Sequence, residues 1–135
     1  MSAAPARAGA LSVLVVDDEE GQRILAAVAL REAGFEVHVA FDGQSAIASA
    51  ARVRPDLVLM DVWMPGMDGF AACERILALP ECRRTQVIIL SGDDRPDNVE
   101  RARTAGATAT VPKMWDWREY VRTVREFLPA AASGR

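Results

Sequence analysis

Five positions in this 135-residue chain hold side chains that together suit the handling of anions and hard cations. Asp17 and Asp18 follow the apolar run 11–16, and Asp61 follows Leu57-Val58-Leu59-Met60. Ser91 follows the run 86–90, and Lys113 follows 107–111. A carboxylate closing a run as apolar as 57–60 is costly unless paired. Three carboxylates brought to one place cannot all stay ionised without compensation. The usual compensation is a dication such as Mg²⁺, which prefers oxygen ligands and takes one or two carboxylates together with phosphate oxygens. An ammonium and a hydroxyl opposite the metal would complete a cradle for a phosphoryl group. Each piece alone has a plainer reading. An acid after a strand serves as a helix cap or a solvated turn, and Ser91-Gly92 reads as a turn. Asp61 is harder to read this way, because it ends so apolar a run; the lesser alternative is a cap on the helix that follows Met64-Pro65-Gly66 and Asp68-Gly69. The conjunction at successive strand ends is what points to a site.

For these side chains to meet, the elements between them must build one sheet. Residues 11–16 predict a strand buried on both faces. Residues 19–33 predict a helix with Ile24, Leu25, Val28 and Leu30 as its apolar set, stopped at Gly34. Residues 35–41 alternate as a second strand, and Asp42 is placed to cap a helix through 50 that ends near Pro55. The third strand is 57–60, followed by a helix over 68–79 closed by Pro80. The fourth strand is 86–90, followed by a helix over 97–105 stopped at Gly106, and the fifth strand is 107–111. Asp116 opens the last helix, where Glu119 completes a capping box and Val121, Val124 and Leu128 form the inner stripe, with Tyr120 or Phe127 beside it. This alternation predicts an α/β fold with a parallel sheet covered on both faces. The expected architecture is the flavodoxin-like, doubly wound (βα)5 arrangement with strand order 2-1-3-4-5. Its ligand crevice lies beyond the carboxyl ends of strands 1 and 3, where the order reverses. Asp17, Asp18 and Asp61 then converge.

Composition narrows the classes. One domain is expected over 11–128, with 1–10 and 129–135 as disordered tails. Nineteen acids against 16 bases give a net charge of −3, which argues against nucleic acid as the partner. No apolar run approaches the roughly 18–20 residues of a membrane span, so no membrane partner is expected. Residues 8–16 imitate a signal-peptide core but run directly into Asp17-Asp18-Glu19-Glu20 with no small-residue cleavage site, and a cytoplasmic location is expected. Cys73 and Cys82 match neither a redox nor a zinc spacing and read as reduced thiols. The single histidine, His38, excludes a multi-histidine metal site and reads as a strand residue without chemistry. Fifteen of the 16 basic residues are arginine, and Lys113 is the lone lysine. A compact ammonium on a flexible stem is not interchangeable with a planar guanidinium.

Four segments carry a family resemblance. They are Val15-Val16-Asp17-Asp18-Glu19, the stretch from Asp61-Val62-Trp63-Met64-Pro65 through Gly66-Met67-Asp68-Gly69, Leu90-Ser91-Gly92, and Gly106-Ala107 with Lys113 six residues on. Over 11–128 the chain resembles the receiver domain of bacterial response regulators, the CheY-like fold of two-component signalling. The resemblance implies that Asp61 is the phosphoacceptor and, with Asp18, a direct ligand of Mg²⁺ or Mn²⁺. It implies that Asp17 acts on the metal through water and that the backbone carbonyl of Trp63 is the remaining protein ligand. Ser91 matches the switch hydroxyl, and Lys113 the ammonium that pairs with the phosphoryl group.

The sequence departs from the family pattern at several points. The family lysine is commonly followed by proline; here Met114 follows and Pro112 precedes. A cis bond before a non-proline residue costs about 2.5–4 kcal/mol, so a trans Lys113–Met114 bond is expected. Thr110 stands where the family carries an aromatic switch residue, which puts the usual coupling of hydroxyl and aromatic motion in doubt. Trp63 and Asp93 stand where the family tunes dephosphorylation, and Trp63 is expected to cover Asp61 in part. Trp115 and Trp117 begin the last helix, beside the face formed by helix 4, strand 5 and helix 5; one is expected buried and one exposed as a partner anchor.

These features predict a receiver in a phosphorelay, with no enzymatic activity beyond its own Mg²⁺-dependent phosphorylation and dephosphorylation. A histidine kinase or phosphotransfer protein is the expected donor and a downstream protein the expected target. No output domain fits in the tails, so the expectation is output by protein contact, or a receiver that belongs to or relays to something larger. A rival reading is a pseudo-receiver acting as a phosphorylation-independent interaction module. A phosphatase-like hydrolase would want Asp-x-Asp after strand 1, where the two acids are adjacent.

Overall fold

The computed structural model describes residues 10–92, 96–113 and 116–128. Asp93, Met114 and Trp115 lie outside these residues, as do the Lys113–Met114 bond, the expected tail 129–135 and all of the expected tail 1–10 but Ala10. The chain runs β1 (Ser12–Val16), α1 (Glu20–Glu32), β2 (Glu36–Ala40), α2 (Gly43–Val53), β3 (Leu57–Asp61) and α3 (Gly69–Leu77). A 3-10 turn (Pro80–Cys82) leads to β4 (Gln86–Ser91), α4 (Pro96–Thr104), β5 (Ala109–Pro112) and α5 (Trp117–Phe127). The strands form one parallel sheet in the order β2-β1-β3-β4-β5, as expected.

The period-2 pattern of the strands divides the core in two. Leu14, Val16, Val58, Met60, Val87 and Ile89 meet α2, α3 and α4 on one face. Val13, Val15, Leu57, Leu59, Ile88 and Leu90 meet α1 and α5 on the other. Tyr120 and Val124 are buried in α5, and Val121, Phe127 and Leu128 pack at its margin, close to the stripe predicted.

Four local expectations need correction. In α1 the sheet receives Ala26, Ala27 and Leu30, while Ile24, Leu25 and Val28 are 51%, 43% and 45% exposed. The helix is apolar nearly all round, and its smallest residues face the sheet. Helix α3 ends at Leu77, and Pro80 starts the 3-10 turn instead of closing a longer helix. Strand β5 begins at Ala109 because the Ala107 amide donates to Ala102 O at 3.0 Å and finishes the end of α4. Gly106, at φ 95°, makes that reversal possible. At α5, Asp116 caps the Arg118 amide, but the Glu119 carboxylate pairs with Arg122 at 3.1 Å. The reciprocal capping box occurs at α2, between Asp42 and Ser45.

Candidate functional site

The site is built at the carboxyl ends of the strands. Asp17 leaves β1 with its amide bonded to Ala40 O of β2. Its Oδ1 accepts from the Glu19 amide at 3.0 Å, and its carbonyl accepts from the Arg23 guanidinium at 2.8 Å. The start of α1 is thereby tied to the site. Asp61 is the last residue of β3, opposite Leu90 of β4. The Lys113 amide donates to Ser91 O at 2.9 Å, which sets the lysine beside the end of β4.

These anchors bring the side chains together as expected. The Lys113 ammonium lies 3.0 Å from Asp61 Oδ2 and 3.3 Å from Asp17 Oδ2. One oxygen from each of Asp17, Asp18 and Asp61 lies within 4.8 Å of the others. Asp17 and Asp61 are buried, whereas Asp18 is exposed to solvent at the mouth. Ser91 is buried at the end of β4. Thr110 is half-buried in β5 beside Ile89. Trp63 is 54% exposed, and Trp117 is 40% exposed on α5.

Burial raises the Asp61 pKa from 3.8 to about 6; Lys113 opposes that rise, and Asp17 and Asp18 add to it. Burial works against the Lys113 ammonium, but the Asp61 and Asp17 carboxylates outweigh it and hold its pKa above the ordinary lysine value. Three carboxylates against one ammonium leave an excess of negative charge in a partly dry cleft. An all-oxygen donor set of this kind fits a hard dication.

Two contributors were not legible from spacing. Arg23 holds a backbone carbonyl, and nothing in its sequence context marks it for that role. Gly69 presses the start of α3 onto the end of β3: a Cβ there would lie 2.2 Å from Asp61 O. Its amide donates to Val62 O at 2.7 Å. The Asp68-Gly69 pair is visible in the sequence, but its close approach to Asp61 is set by the fold.

The family model for the response regulator receiver domain matches residues 13–125. The chain belongs to the response regulator receiver family. Receivers of this family are signalling modules of two-component systems rather than enzymes in general. The chain is 32% identical over 117 residues to sporulation initiation phosphotransferase F of Bacillus subtilis, covering 87% of this chain and 93% of that protein. It superposes on the chemotaxis protein CheY4 of Vibrio cholerae with a TM-score of 0.82 at 29% identity, covering 87% and 98% of the two chains. It also matches the receiver domain of sensor histidine kinase PA1611 from Pseudomonas aeruginosa, solved with a magnesium ion coordinated in the active site cleft. That match has a TM-score of 0.78 at 28% identity and covers 88% and 98%. The chain spans about a fifth of the length of response regulator PleD of Caulobacter vibrioides, to which it is 42% identical over 89 residues. Among the described residues, no helix is long and apolar enough to cross a membrane.

Proposed function

We propose that this receiver accepts a phosphoryl group on Asp61 from a phosphohistidine of a histidine kinase or phosphotransfer protein. The observation that carries the proposal is the convergence of the Asp17, Asp18 and Asp61 oxygens with the Lys113 ammonium 3.0 Å from Asp61. An Asp61 oxygen attacks phosphorus, the phosphorus–nitrogen bond breaks, and the departing imidazole nitrogen keeps the electron pair and takes a proton. Lys113 stays against the transferring oxygens, and Ser91 lies at the neighbouring strand end, where its hydroxyl can donate to the aspartyl phosphate. Asp17, Asp18, Asp61 and the Trp63 carbonyl would hold Mg²⁺ or Mn²⁺. When bound, the metal offsets charge on the phosphoryl oxygens.

Phosphorylation then biases a two-state equilibrium of the α4–β5–α5 face and changes affinity for a downstream protein. The exposed Trp117 supports this face as an anchor. Incubation with Mg²⁺ and acetyl phosphate, followed by intact-mass measurement, tests the proposal. The wild type gains one phosphoryl group and Asp61→Asn gains none. A wild type that gains none under these conditions would instead be a phosphorylation-independent interaction module.

A further inference from the structure

At the opposite end of the sheet, the β3 and β4 entries enclose an open groove of about 560 Å³. Three arginines line it: Arg54 from the end of α2, and Arg83 and Arg84 from the segment after the 3-10 turn. None of the three makes an ion pair or side-chain hydrogen bond among the described residues. Asp56 and Glu81 also line the groove and offset part of this charge, leaving three guanidinium groups against two carboxylates. Asp56 accepts from the Ser12 amide at 2.8 Å, and Glu81 forms no ion pair among the described residues.

The walls are braced before any ligand arrives. The Thr85 hydroxyl donates to Pro55 O at 2.7 Å, and the Cys82 thiol reaches Ala50 O at 3.5 Å. Pro55 and Pro80 restrict the backbone on both sides. Arg54 occupies the left-handed C-cap of α2 at φ 51°, a conformation usually given to glycine. A favourable interaction with the helix C-terminus accounts for a cation at Arg54, but not for Arg83 and Arg84, which follow a different element.

We infer that this groove binds a small, multiply charged phosphate compound of the diphosphate class through Arg54, Arg83 and Arg84. Guanidinium forks match phosphate oxygens in bidentate geometry, and three of them suit a ligand with more than one phosphoryl group. The groove is open to solvent, its three arginines are exposed, and it has room for a ligand of that size. The basic cluster is confined to one groove of a chain with net charge −3, which disfavours a long polyanion that would need an extended basic track. The inference is independent of phosphorylation at Asp61.

Inorganic pyrophosphate, titrated calorimetrically into the full chain in chelator at fixed ionic strength, tests it. Saturable one-to-one binding is expected, weakened about tenfold in each of Arg83→Ala and Arg84→Ala. Glu81→Gln is expected to tighten binding roughly two- to fivefold, a gain that a damaged fold cannot produce. Amide shifts should centre on residues 54 and 83–85. The inference is overturned by absence of saturable binding, by wild-type affinity in the Arg83→Ala/Arg84→Ala double variant, or by shifts centred on Lys113.

Discussion

Asp61 illustrates how one residue carries a conflict set by its surroundings. Its carboxyl is buried against Lys113, which also touches Asp17, and its pKa rises to about 6. The folded state therefore binds more protons than the unfolded chain between about pH 4 and pH 6, and stability falls as pH rises through that window. In chelator, Asp61→Asn should be more stable than the wild type at pH 7.5 by roughly 2–3 kcal/mol, since the rise is about two pKa units and each is worth about 1.36 kcal/mol. The gap should close below about pH 4. Denaturant melts at the two pH values test this, and an equal gap at both would refute it. Lys113 touches carboxylates from two strands at 3.0 and 3.3 Å. A wider guanidinium cannot keep both contacts, so Lys113→Arg should slow phosphorylation by acetyl phosphate by about tenfold. Trp63 follows Asp61 by two residues and is half exposed. Trp63→Ala should shorten the lifetime of the phosphorylated form if the ring shields Asp61 from water. An unchanged lifetime would leave the ring without that role.

At the scale of elements, small residues set how closely the layers approach. Helix α1 buries Ala26, Ala27 and Leu30, so Leu30→Ala should cost about 2–5 kcal/mol. Ile24→Ala, on the exposed face, should change stability by less than about 0.5 kcal/mol. Chemical denaturation compares them directly, and a large loss at Ile24 would contradict the packing of α1. Helix α3 depends on Gly69 in the same way. Its missing Cβ lets the helix start against Asp61 O. Gly69→Ala should cost about 1–3 kcal/mol and lower phosphorylation as well, because the strain falls on the backbone that aims Asp61. A stable variant with wild-type phosphorylation would show that the contact is dispensable. Caps, Gly/Pro stops and apolar sets located the helices, but the apolar set did not select the buried face of α1, because its central turns offer apolar residues nearly all round.

For the whole molecule, the parallel topology places opposing charges at the two ends of one sheet. The carboxyl ends gather acids around Lys113, and the amino ends carry Arg54, Arg83 and Arg84. Helix α4 is fastened toward the acidic end: Arg101 pairs with Asp68 at 3.2 Å and lies 4.4 Å over the Phe70 ring. A cation that binds the folded acids and not the unfolded chain stabilises by mass action, about 2.7 kcal/mol at a hundredfold excess over Kd. Mg²⁺ should therefore raise the melting temperature, and Asp61→Asn should remove most of that rise. A Mg²⁺ response that persists unchanged in the variant would place the cation elsewhere.

The alternation of elements, the strand order, the convergence of Asp17, Asp18, Asp61 and Lys113, and the place of Ser91 at the end of β4 were legible in the sequence. Each rests on a local signal: a buried strand is an unbroken apolar run, and the residue after it falls at a known end of the sheet. Other features depended on distances between segments far apart in the chain. Gly69 against Asp61 O, Arg23 on the Asp17 carbonyl, the alanine face of α1 and the three arginines around one groove are contacts between elements. Local pattern sets which way a strand residue points. How near two elements come is decided only when the whole core is packed.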